Sequence, residues 1–441
     1  MAGAPRPRSR APAGQCRPAA AHPPGARRPG GRGSRVSLRI VIDARLNAYR
    51  DGGIPRYTRH LLAALAAHAP DATFVSLQHR RQPAPLVIAP NVRRQRAWTP
   101  PHHRHEWLAL PLELAPVVAD VAHFPDTVAP PWSTMPRVVT IHDLAFLRFP
   151  EILDGAARTF YGRVAASARA AAAVIAVSHA TRRDIIELLG IPAGRIVVIH
   201  EAPALAPAAP PAPVARHTCQ IAGVTVQADR FALFVSTLEP RKNLTTLLTA
   251  LQLCRQRHPG TRIPLVVAGA RGWQEAAIFA RVAELQLEDQ VLFCGAVDDA
   301  TLQWLYQHCR IYCNPSRYEG FGLPLLEALR AGAACLASDT SSLPEIGGAA
   351  ARYVPPLDSA AWADALADLW HDEAARATLR AAGPRRAAQF SWERAARATF
   401  AVYRRAAAGA PPHDDGSGSA TAAHDPPLSS VAAGRDHTAE G

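Results

Sequence analysis

The chain has 441 residues, 48% of them hydrophobic, and a formal charge of +13. That length supports two domains with substantial cores. No run of about 18 apolar residues suggests a membrane span, and the amino terminus lacks the apolar core of a signal peptide. Part of the charge sits at the ends: residues 1–35 carry eight arginines and no acid, residues 411–441 carry −4, and the body between keeps +9. Such a balance suits phosphorylated ligands or acidic lipid surfaces. No helix-turn-helix, zinc-finger or RNA-binding signature is present, so nucleic acid is not an expected partner. Seven cysteines, an odd number without disulfide spacing, point to buried reduced thiols and a reducing, cytoplasmic compartment.

In chain order, residues 1–35 read as a disordered basic extension. From Ser37 short apolar runs alternate with helix-length amphipathic segments, the sign of parallel sheets covered by helices. The first half, 36–202, offers strands near Leu38–Ile42, Thr73–Leu77, Val121–Phe124, Arg137–Ile141, Ala173–Val177 and Arg195–Ile199. Arginines at 80, 81, 93, 94, 96 and 104 crowd a region containing Trp98 and Trp107. It reads as a solvated basic loop or as a surface that rests on an anionic membrane. His102, His103 and His105 lie there among prolines and read as loop residues rather than as a metal site. An Ala-Pro stretch from Pro203 reads as a linker over 203–217.

The second half, 218–388, repeats the pattern, with strands near Phe231–Ser236, Pro264–Ala268, Val291–Cys294, Ile311–Asn314 and Ala334–Ala337. Leu244, Leu247, Leu248 and Leu251 give the helix after the first of these one apolar stripe. Ser391 caps a last helix to about Arg405, within 389–409, and 410–441 reads as a disordered tail. The expected class is therefore α/β: two doubly wound, Rossmann-like domains facing a cleft at the strand carboxyl ends.

The motifs fall at those ends. Glu319 and Glu327 stand eight residues apart, Glu319 on the loop after a short strand and Glu327 in the first turn of a helix that Pro324 opens. Gly320 and Gly322 let the backbone approach a ligand, and the amides from Phe321 to Leu323 face an anion at the helix start. Two carboxylates accept hydrogen bonds from paired hydroxyls, so the loop suits a sugar nucleotide. Arg241 and Lys242 sit between a strand and the leucine-striped helix, placed to neutralise a departing diphosphate. Gly52 and Gly53 offer backbone N–H groups to the distal phosphate from the first half. His142 closes a strand, where it can bond a sugar hydroxyl or share developing charge, with Asp143 orienting it. Ser178 caps the next helix, and Glu345 reads as a structural residue. There is no G-x-G-x-x-G dinucleotide pattern and no P-loop, which argues against a nicotinamide enzyme or a nucleoside triphosphatase.

The runs Gly52-Gly-Ile-Pro-Arg-Tyr-Thr58, Thr140-Ile-His-Asp-Leu144, Glu239-Pro-Arg-Lys-Asn-Leu244, Pro315 to Glu327, Ser341-Ser-Leu-Pro-Glu345 and Phe390-Ser-Trp392 occur in order between Leu38 and Tyr403. This set resembles glycosyltransferase family 4, the retaining, nucleotide-sugar-dependent enzymes of the GT-B fold, often mannosyltransferase-like. The resemblance implies that Glu319 contacts the donor sugar hydroxyls and Glu327 the ribose. It implies that Arg241 and Lys242 hold the diphosphate with the amides of Phe321 to Leu323, and that Gly53 closes from the other domain. His142 would lie near the sugar, and the last helix would cross back onto the amino-terminal domain. Pro55 stands where the family often has glycine, and His179 where an acid is common. The implied reaction moves a hexose from a UDP- or GDP-sugar to a glycan, lipid-linked or polysaccharide acceptor, without a metal or other cofactor. The alternative is a catalytically silent sugar-nucleotide-binding scaffold of the same fold.

Overall fold

The computed structural model describes residues 37–150, 160–205, 217–272 and 275–414, together with 416 and 418. The basic extension 1–35, most of the linker and the tail from 419 lie outside the described residues. β1 (Arg39–Asp43), β2 (Thr73–His79), β3 (Val92–Ala97), β4 (Val121–Phe124), β5 (Arg137–Ile141), β6 (Ala173–Ala176) and β7 (Ile196–Val198) form one parallel sheet in the order β3-β2-β1-β4-β5-β6-β7. Strands β5, β6 and β7 are short runs rich in Val, Ile and Ala and almost wholly buried, as helices on both sides of the sheet require.

A two-stranded hairpin, β8 (Thr218–Ile221) and β9 (Val224–Gln227), precedes the second sheet. There β10 (Ala232–Val235), β11 (Leu265–Ala268), β12 (Val291–Gly295), β13 (Ile311–Asn314), β14 (Cys335–Ser338) and β15 (Ala351–Val354) run parallel in the order β12-β11-β10-β13-β14-β15. Both sheets wind alike: the chain starts centrally, builds outward one way, then returns and builds the other. Each therefore has one switch point, between β1 and β4 and between β10 and β13, where the carboxyl ends leave a crevice.

The helices that bear on the site are α1 (Gly53–His68), α2 (Glu106–Leu114), α3 (Val164–Ala170), α4 (His179–Leu189), α5 (Leu244–Arg257), α6 (Asp299–His308), α7 (Leu323–Arg330), α8 (Leu343–Gly347) and α9 (Trp392–Ala407). The leucine stripe of α5 is buried in one cluster with Phe234 and Val267. α9 leaves the second half and buries Ala395, Ala396, Val402 and Tyr403 with Tyr57, Leu61 and Leu65 of α1. Ser391 Oγ caps it by accepting from Arg394 N at 3.2 Å.

Three strand regions escape the apolar-run reading: β3, β15 and the β8–β9 hairpin. β3 and β15 are edge strands, and β3 is Val-Arg-Arg-Gln-Arg-Ala. An edge tolerates charge and is protected by it, so the basic region read as loop is partly a strand. Residues 410–414, 416 and 418 of the segment read as a disordered tail are placed: Gly418 O accepts from His200 N at 3.0 Å, beside the end of β7.

Candidate functional site

Strand β10 ends in a 3₁₀ turn, Pro240–Lys242, and β13 in the loop that carries Glu319. Asn243 holds these two loops together. Its backbone is left-handed at φ +59°, and its Nδ2 donates to Pro315 O at 2.8 Å and Pro356 O at 2.6 Å. Across the switch point Lys242 Nζ donates to both Glu319 oxygens at 2.8 Å, and Ser316 Oγ donates to Oε1 at 2.8 Å. Arg241 Nη1 stands 3.7 Å from Glu319 Oε2 and donates to Tyr318 O, while its Nε pairs with Glu239 at 2.7 Å. Burial pushes the Glu319 carboxyl up, but Lys242 and Arg241 outweigh it and hold it below the usual range. The loop is fastened from below: Ser341 Oγ accepts from Glu319 N, and Ser342 Oγ donates to the carbonyls of Glu319 and Phe321. Ser316, Ser341 and Ser342 belong to the motif runs read in the sequence, and their contacts show that they fasten the loop.

Glu327 differs from expectation in position: α7 starts at Leu323, with Gly322 left-handed at φ +97° before it, so Glu327 lies in the second turn. It is buried beside Tyr306, whose hydroxyl donates to it at 3.4 Å. Burial lifts its carboxyl to about 7, against the pull of Arg56 and Arg330. A cavity of about 690 Å³ next to these residues is lined by Arg56, Arg59, His60, Asp299, Arg330 and Trp392. Arg241, Lys242 and Glu319 do not line it. Gly52 and Gly53 open α1, with open space around both Cα atoms.

Gly320 corrects another expectation. A Cβ there would stand 1.8 Å from His142 O and 2.7 Å from Asp143 Cβ, so what approaches closely is the backbone of the first half. Gly320 O accepts from Ser178 Oγ at 2.6 Å and Thr181 Oγ1 at 3.0 Å. Tyr318 OH donates to Asp184 at 2.6 Å and accepts from Leu144 N at 3.1 Å. Glu345 takes the N–H groups of His179 and Ala180 at the start of α4 and pairs with His200 at 2.6 Å. The two halves are thus docked along the loops that bear the motifs.

His142 lies on this seam, but Asp143 does not orient it. Asp143 Oδ1 instead accepts from Ala145 N at 3.0 Å. The partner is Glu201, buried after β7, which pairs with His142 Nδ1 at 2.7 Å, while Nε2 meets Pro125 O at 2.9 Å. Carboxylate and carbonyl oxygens only accept, so both ring nitrogens carry protons and His142 is an imidazolium. Burial lowers its pKa, and the Glu201 bond and charge more than restore it, to above the ordinary value. With both nitrogens used, His142 offers charge to the cleft rather than a hydrogen bond to a sugar hydroxyl.

Two parallel sheets of like winding, motif loops facing at their carboxyl ends and a terminal helix returned to the first sheet define the GT-B class of sugar-transferring fold. The chain matches the family described as "Glycosyltransferase Family 4" over residues 51–202 and "Glycosyl transferases group 1" over 223–386. It is 33% identical over 270 residues to "O-antigen chain mannosyltransferase B" of Escherichia coli, across 60% of this chain and 70% of that protein. It is 31% identical over 276 residues to "Serotype-specific mannosyltransferase WbdA" of Escherichia coli, across 59% of this chain and 32% of WbdA, so it spans about a third of that relative. Sucrose-phosphate synthase from Thermosynechococcus elongatus shares the fold with a TM-score of 0.65 at 22% identity, over 85% of this chain and 100% of that one. Anabaena Alr3699/HepE, solved in complex with UDP and glucose, does so with a TM-score of 0.60 at 18%, over 83% and 99%. The chain belongs to the group 1, family 4 glycosyltransferases, and its activity is the transfer of sugars.

Proposed function

We propose that this protein moves a hexose, mannose-like or similar, from a UDP- or GDP-sugar to a glycan, lipid-linked or polysaccharide acceptor with retention at the anomeric carbon. The observation that carries the reading is the convergence of Arg241, Lys242 and Ser316 on Glu319, one residue from the point where Gly320 meets His142. The mannosyltransferases of Escherichia coli support the hexose, and the UDP complex of HepE supports the nucleoside diphosphate.

On donor binding, the diphosphate takes up donors of Arg241 and Lys242, with the amides of Phe321 to Leu323 and of Gly52 and Gly53 assisting. Glu319, released, accepts from sugar hydroxyls, and Glu327 accepts from the ribose. As the bond from the anomeric carbon to the diphosphate oxygen breaks, the two cations and the His142 imidazolium stabilise the charge that develops. The acceptor hydroxyl attacks from the same face, and the departing phosphate oxygen takes its proton, so no protein base is needed. Since side-chain cations meet the leaving group, no metal enters this scheme.

A thermal-shift screen against UDP, GDP, ADP and their sugar conjugates tests the donor, repeated with Glu327→Ala. The expected result is a rise with one nucleotide that the variant loses. No rise with any nucleotide favours the silent scaffold. Peripheral contact with an anionic membrane belongs to the face where the Arg80 guanidinium lies 4.7 Å above the Trp98 ring, beside Arg81 and Arg96. Failure to float with anionic liposomes at low salt removes it. Among the described residues, no helix is long and apolar enough to cross a membrane.

A further inference from the structure

The seam between the halves carries a cluster that the transfer scheme does not use. His179 opens α4 and His200 follows β7, both in the first half, and Glu345 of α8 reaches them from the second. One nitrogen of each imidazole and one carboxylate oxygen lie within 4.8 Å of one another. The two rings stand at 83° with their centroids 6.0 Å apart.

The surroundings hold these groups in forms that a metal can use. Backbone donors aim the carboxylate: His179 N gives to Oε1 at 2.8 Å and Ala180 N to Oε2 at 3.2 Å. Burial pushes the Glu345 carboxyl up, but the bond from His200 and the His179 amide outweigh it, so the group is ionised. Burial lowers the His179 pKa, against the pull of Glu345 and Asp414, so its imidazole is neutral, the form that ligates. His200 is buried against Phe321 and Phe390 and points Nε2 at Glu345 Oε1, 2.6 Å away.

Two imidazoles and one carboxylate are a set that zinc accepts, whereas magnesium and calcium prefer oxygen alone. Zinc bonds of about 2 Å put tetrahedral ligands about 3.4 Å apart, so the cluster must contract by about 1 Å. His179, half-buried at a helix start, supplies this by turning its ring. The cation takes the place of the proton between His200 and Glu345, and the fourth position is left to water.

The place of the cluster gives such an ion leverage. Glu201, next to His200, pairs with His142, and Ser342, three residues before Glu345, fastens the carbonyls of Glu319 and Phe321. A metal with ligands on both halves therefore fixes the seam on which both arrangements depend.

We propose that His179, His200 and Glu345 bind a zinc ion that clamps the two halves in the docked state. The ion takes no part in sugar transfer, and the site stands whether or not that reading does.

The test is calorimetric titration of Zn²⁺, with Mg²⁺ as the control, into the full chain stripped with EDTA and desalted. One zinc per chain and a higher melting temperature are expected, with no binding of Mg²⁺. His179→Gln keeps the backbone N–H that Glu345 accepts and removes only the imidazole, so zinc binding should weaken by about ten-fold or more. Hydrogen exchange on the wild type reads the bridge itself: zinc should slow the amides around His179 and those around Glu345 together. No zinc binding, equal binding of Mg²⁺, zinc binding that survives His179→Gln, or protection confined to one half would overturn the proposal.

Discussion

Lys242 and Glu319 are both buried, so each is costly without the other. Glu319→Ala leaves the buried Lys242 ammonium without its carboxylate partner, and is expected to cost about 3–5 kcal/mol in denaturant unfolding. Glu319→Gln keeps the shape and separates folding from chemistry. With it, and with Arg241→Ala, transfer should fall by roughly 10²–10³ while the fold survives. Variants shown to be folded that transfer at the full rate would remove these residues from the reaction. Glu327 carries a pH signature. Its folded pKa of about 7 lies above the ordinary 4.5, so the stability linked to its proton is fully present below 4.5 and lost as pH rises through 7. The rise is worth on the order of 3 kcal/mol. Melting of wild type against Glu327→Gln at pH 5 and pH 8 should show the variant gaining at pH 8, and parallel curves would contradict this burial.

Among the elements, the loop between β13 and α7 and the helix α9 decide how the halves meet. A side chain at Gly320 cannot swing away from His142 O, because the conflict is at Cβ itself. Gly320→Ala should therefore open the docked seam or shift the loop, at about 1–3 kcal/mol. Small-angle scattering should then give a larger radius of gyration than wild type, and an unchanged radius with unchanged stability would mean that the seam is not held there. On α9, Tyr403 OH shares a hydrogen bond with His123 Nδ1 at 2.6 Å, and His123 Nε2 meets Thr140 Oγ1 at 2.8 Å. Burial drives the His123 pKa down to about 3, so the ring is neutral, with one donor and one acceptor nitrogen, each met by a hydroxyl. Tyr403→Phe should cost about 1–3 kcal/mol in chemical denaturation by stranding Nδ1. A loss near zero would show that water replaces the hydroxyl.

For the whole molecule, the docked state places cations of one half, Arg241 and Lys242, across from the imidazolium of the other. Positive charge on both walls suits a diphosphate that leaves and is neutralised without a metal. Donor turnover is accordingly expected to be unchanged in EDTA, and a loss restored by Mg²⁺ or Mn²⁺ would show that the cations are insufficient. The same arrangement explains why Lys242 and Glu319 are shut on each other. Lys242 closes on Glu319 at 2.8 Å with Arg241 3.7 Å away, so the two cations and the carboxylate balance one another.

The parallel strands buried on both faces, the leucine stripe of α5, the caps at Ser178 and Ser391 and the order of the motif loops are all properties of local pattern. A chain of this sequence announces them because burial on both faces forces unbroken apolar runs, and helix starts require particular side chains. Charged edge strands such as β3 break that rule, since an edge meets solvent. What only tertiary structure decided are the pairings across long separations: Glu201 rather than Asp143 beside His142, Gly320 against the first half rather than a ligand, the serines under Glu319, and the cluster of His179, His200 and Glu345. Spacing along a chain constrains neighbours within a turn or a strand, but contacts between loops of separate sheets depend on how those sheets dock.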